Sequence, residues 1–142
     1  MKNFLHFILL FSGIAYGQNQ MTLDSIASDY KKCLDETKDR VTCTKELFWI
    51  YQDIQFDFYH QSVVGIDSIT KINRAKECGE WVKTKDYFIG AQFLKFKQKY
   101  PKERIDKPSK MAENDAYMAF KNICDYILER IKYLLEQTES KK

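Results

Sequence analysis

The clearest chemistry in this sequence belongs to four cysteines, Cys33, Cys43, Cys78 and Cys124. A structural zinc site needs a close pair such as Cys-x2-Cys, and none is present. An even set of well-spaced thiols in a small exported chain reads as disulfides, with free buried thiols as the alternative. Four cysteines allow three pairings. The favoured one joins Cys33 to Cys43 across a tight turn and Cys78 to Cys124 between two distant helices. Loop-closure entropy gives such bridges about 3 and about 4 kcal/mol respectively, before any strain. Catalytic chemistry finds little to use. His60 is the one histidine beyond the N-terminal apolar run, and no Gly-x-Ser-x-Gly elbow or Gly-rich phosphate loop accompanies it. Asp53 with Asp57 and Glu77 with Glu80 are carboxylate pairs at helical spacing, which is the ordinary pattern of a solvated face. No catalytic residue, metal or cofactor is therefore expected, and the chain is read as a non-enzyme.

Three further side chains stand out. Trp81 and Asp86 are five residues apart, about 140° round a helix, so they face different surroundings. Trp81 is expected to pack in the core and Asp86 to pair with a base or cap a turn; the alternative makes Trp81 an anchoring aromatic for a partner. Arg130 lies beside an apolar stripe without belonging to it. A bidentate salt bridge to Asp86 or Asp53, holding two helices in register, is its expected role. Lys95, Lys97, Lys99, Lys102, Arg104, Lys107 and Lys110 form a local basic run, read as a solvated helix end and loop. A surface for acidic glycans, lipopolysaccharide or nucleic acid would need these bases on one face.

Positioning these residues takes helices. Leu23, Ile26, Ala27, Tyr30, Cys33 and Leu34 follow helical spacing after Thr22 as a cap, and polar residues 35–40 make a turn. Cys43, Leu47, Ile50, Tyr51, Ile54 and Phe58 define a second helix. Residues 54–58 also alternate as a strand would, but the long flanking pattern and absent hairpin residues favour helix. Residues 65–68 break the chain and start a third helix through Ile69, Ile72, Ala75, Cys78, Val82, Ile89 and Phe93, ending at Tyr100-Pro101. Gly79 and Gly90 cost it about 1 kcal/mol each relative to Ala, so a kink or split is expected there. Pro101 and Pro108 mark a charged loop at 100–109. Ala116, Phe120, Ile123, Cys124, Ile127, Ile131 and Leu134 form the last stripe, before a polar tail from Thr138 that should fray. Four amphipathic stripes hide together in a bundle, so the sequence predicts an all-α, small four-helix domain over residues 18–142, braced by two disulfides.

Residues 1–17 are excluded from that domain. Lys2, an apolar run from Phe4 to Ile14, and Ala15-Tyr16-Gly17 have the three-part anatomy of a signal peptide; a retained anchor is the alternative. A periplasmic or extracellular location follows. The 142 residues are 44% hydrophobic, 30% charged and 15% aromatic, with five Gly and two Pro, which excludes collagen-like, low-complexity and polytopic membrane classes. A formal charge of +3 is too balanced for a general nucleic-acid binder.

The stretch Ala75-Lys-Glu-Cys-Gly-Glu-Trp-Val-Lys-Thr-Lys-Asp86 resembles the central motif of the LprI-like lysozyme-inhibitor domain, with Trp81, Lys85 and Asp86 in the motif positions. Cys124 to Leu134, with Arg130 inside it, is similar to the closing helix of that family. Cys33 with Cys43, and Asp53 to Tyr59, resemble its opening elements, so the likeness spans about residues 30–135. The chain departs from the pattern in carrying Cys78 before Trp81 instead of a cysteine after Asp86. The resemblance implies a small exported helical domain that binds a protein. The implied target is a lysozyme-type cell-wall hydrolase, blocked sterically and without a cofactor. The candidate contacts are Lys102, Glu103, Arg104 and Asp106 of the 100–109 loop, chosen because it is long, charged and set between helices. The alternative is an exported helical immunity or envelope-binding protein.

Overall fold

The computed structural model describes residue 20 and residues 22–139. The signal-peptide reading of residues 1–17 lies outside the described residues, as does the end of the tail at 140–142. Four helices and no strand occur among the described residues: α1 (22–37), α2 (Arg40–Ser62), α3 (Ser68–Lys99) and α4 (Glu113–Glu139). The protein is an all-α bundle, as its periodicity predicts.

Local chemistry sets the boundaries. The turn between α1 and α2 shrinks from the expected 35–40 to Lys38 and Asp39. Lys38 takes a left-handed φ of 58°, and the Asp39 carboxylate caps α2 by accepting from Thr42 N at 3.0 Å. The Cys33–Cys43 disulfide closes over this reversal. At the next turn Gly65 supplies a φ of +75°, and Asp67 caps α3 by accepting from the Ile69 and Thr70 amides, both at 3.0 Å. Residues 54–58 are helical. Tyr51, Gln55, Phe58 and Ser62 are buried along one helical line while Phe56 faces outward, opposite to what a strand would do. Helix α3 runs as one helix through Gly79 and Gly90, where a Cβ would meet nothing, so it does not split there. Thr138 is still helical and its hydroxyl donates to Leu134 O at 3.0 Å.

Helix α4 is the centre of the molecule. Ala116, Phe120, Ile123, Cys124, Ile127, Ile131 and Leu134 are all buried, the stripe that the sequence marks. Helix α2 runs parallel to it, with Arg40 over the Tyr117 ring at 4.7 Å and Phe48 at 6.1 Å from Phe120. Helix α3 runs antiparallel, from Lys99–Asp115 at 2.6 Å through Phe93–Phe120 at 5.7 Å to Trp81–Tyr126 at 6.3 Å. Both pack chiefly on α4 rather than on each other. Ile69 and Ile72 stay exposed, because Arg74 already pairs with Gln137 near the end of α4.

The second expected disulfide is absent: Cys78 and Cys124 are free. Cys124 points to α2, its Sγ donating to Thr44 O at 3.5 Å. Cys78 on α3 lies beside Arg130, which is about 9 Å further along α4 and about 120° round from Cys124. The two thiols therefore face different interfaces, and no small shift brings them within bonding geometry.

Candidate functional site

Two clusters hold the residues singled out in the sequence. The first is a layer of charge and aromatic rings between α2, α3 and α4. Arg130 is buried and grips Glu77 with both Nη atoms, Nη2 to Oε2 at 2.8 Å. This bidentate bridge is the expected kind with a different partner. Antiparallel register sets Glu77 opposite Arg130, whereas Asp86 lies about 13 Å further along α3 and Asp53 is exposed on the outer side of α2. The guanidinium also lies 5.2 Å from the Trp81 ring and 5.0 Å from that of Tyr133. Trp81 stacks on Tyr126, which stacks in turn on Phe88 at 4.6 Å. Trp81 thus packs against α4 while half-buried and outside the main apolar core, less deeply than expected of it.

Gln52 had no place in the sequence expectation, Lys85 entered only as a position of the family-like motif, and Glu77 was read with Glu80 as part of a solvated face. The Lys85 ammonium is buried, donates to Gln52 Oε1 at 2.8 Å, and sits 5.6 Å from Trp81 and 5.8 Å from Phe56. It ties α3 to α2. The available signal was its spacing: Lys85 falls four residues after Trp81 and four before Ile89, a base on the inward line of an otherwise apolar face. Exposed Asp86 lies 3.5 Å from it. The thiols beside this layer are quiet. Burial pushes Cys78 up, with the Arg130 cation opposing, and burial pushes Cys124 up to about 12. Among the described residues no group of three or more His, Cys, Asp or Glu converges to hold a metal. The layer is a clamp between helices whose charges are already matched.

The second cluster is open. Because α2 and α3 lean on α4 and diverge from one another, a groove of about 710 Å³ lies between them. Phe48, Phe93 and Phe120, one from each helix, form its floor. Trp49 and Asp86 stand on its lips, and Gly90 leaves the α3 wall open. The end is closed by Ile105 and Asp106 of the 100–109 loop.

That loop is held by its own charges. Arg104 donates to both carboxylate oxygens of Asp106, at 3.1 and 2.8 Å. Glu103 Oε2 accepts from Ser109 N at 2.9 Å, and its carbonyl accepts from Lys97 Nζ at 3.0 Å. These bonds hold both carboxyls below their usual range, the Ser109 amide acting on Glu103 and the Arg104 guanidinium on Asp106. Lys102 is exposed at the tip. Of the four loop residues marked in the sequence, only Asp106 reaches the groove; Glu103 and Arg104 shape the loop that carries it. The basic run does not form one free patch, since Lys97, Lys99 and Arg104 are each engaged within the molecule. No family model matches this chain, and comparison with curated proteins and with solved structures finds no match.

Proposed function

We propose that this chain is an exported protein-binding module that acts by steric blockade, with a lysozyme-type cell-wall hydrolase as its target. The observation behind this reading is the open groove with an aromatic floor, sealed at one end by a loop whose polar groups are satisfied internally. Aromatic side chains at the centre and charge at the rim are the anatomy of a protein-binding patch. A contact surface that is already ordered loses little entropy on docking. The Cys33–Cys43 bond supports an oxidising compartment, and the likeness to the LprI-like motif supplies the target class. Occupation of the groove by a projecting segment of the hydrolase would hold the bulk of the bundle across the substrate cleft. Neither a cofactor nor a covalent step is required.

The test is a cell-wall lysis assay against several lysozyme types with the protein in excess. Protection of the walls, lost on Phe93→Asp at the groove floor, is the expected result. Unchanged lysis with every lysozyme type overturns the hydrolase reading.

A further inference from the structure

The outer face of α2 carries a pattern that the groove floor does not use and that meets the clamp only at Phe56, whose ring the Lys85 ammonium approaches. Glu46, Trp49, Ile50, Asp53, Phe56 and Asp57 follow helical spacing and fall on one arc, in a line about 16 Å long. All six are exposed. Trp49 keeps 58% of its surface open, and Ile50 and Phe56 keep 42% each. Between Glu46 and Asp57 the chain has three carboxylates and no Lys, Arg or His. Among the described residues none of the three carboxylates forms an ion pair; the salt bridges lie on α1, α3, α4, the loop and their junctions. A solvated helix face needs no Trp, Ile and Phe interleaved with its acids, and single exposed apolar residues elsewhere need no explanation. Here the three carboxylates form a central line, with Trp49 and Phe56 on one side of it and Ile50 on the other.

Resting on the protein-binding reading above, we infer that this stripe docks a cationic protein surface, one presenting Arg or Lys among apolar side chains. Both halves of the stripe favour that chemistry. Carboxylates attract the bases and steer their approach, while the Trp49 ring accepts the same cations at close range and Phe56, already approached by Lys85, adds apolar contact. The complementarity is local. The chain as a whole carries +3, so a basic partner is repelled everywhere except where acids dominate. Lys45, the base nearest the start of the stripe, stands on the groove side beside Trp49 and acts on Asp39 and Asp106. Trp49 belongs to both the stripe and the groove lip, so a partner seated on α2 is led directly into the groove.

The experiment measures equilibrium binding of a cationic c-type lysozyme, and of the same lysozyme with its lysines succinylated, to the full protein. Two surface variants accompany it: Glu46→Lys/Asp53→Lys/Asp57→Lys, and Trp49→Ala/Phe56→Ala. All five positions are exposed, and a circular dichroism melt checks that both variants fold. The expected result is binding to the cationic form alone, weakened about tenfold or more by high salt and about thirtyfold by either variant. Equal binding of the succinylated form, or binding indifferent to both variants, overturns the inference. A lysis assay on the same samples separates it from the hydrolase reading. Stripe-dependent binding without wall protection sustains the stripe and removes the hydrolase. Protection that survives both variants does the reverse.

Discussion

At the scale of single residues the molecule depends most on an asymmetric ion pair. Arg130 is buried, while the Glu77 side chain retains 41% exposure. Removing the carboxylate strands a buried cation; removing the cation leaves an acid that can turn to water. Glu77→Ala is therefore expected to cost about 3 kcal/mol and Arg130→Met only about 1–2 kcal/mol, measured by urea denaturation. The double variant should be no worse than Glu77→Ala alone, because the stranded charge is gone. A second residue-scale prediction concerns acid. Asp39 and Asp67 are held below the ordinary carboxylate value of 3.8 by the Thr42 and Thr70 groups they cap. A depressed folded pKa gives stability that is complete above the unfolded value and is lost as the pH falls through the folded one. Stability should thus decline below about pH 4. Asp39→Asn/Asp67→Asn, which keeps capping oxygens without a titrating group, should flatten that acid limb in thermal melts.

At the scale of elements, much of the structure is legible in the sequence, and the limits have a physical cause. Caps and breakers are local, so Asp67, Gly65 and Pro101 mark their boundaries directly. Phe56 shows how the strand-like alternation at 54–58 loses: helical spacing fits the buried set Tyr51, Phe58 and Ser62 over a longer stretch. Pairings across helices are another matter. The partner of Arg130 and the separation of Cys78 from Cys124 follow from the register and rotation of α3 on α4, which no single stripe encodes. The groove was likewise hidden, since it arises where α2 and α3 fail to meet. Gly79 was overread as a break, because propensity alone is a weak effect beside the packing of a 32-residue helix. It follows that Gly79→Ala, with nothing near the added Cβ, should stabilise by about 0.5–1 kcal/mol and raise the melting temperature by roughly 2–6 °C.

At the scale of the whole molecule the order of assembly is written into the packing. The helix around which the others gather follows them in the chain, and α2 and α3 have little hold on each other until it arrives. A nascent chain that stops short of residue 113 owns its outer staves but lacks the axle. Such a chain has no reason to lock into its final shape while it is still being made.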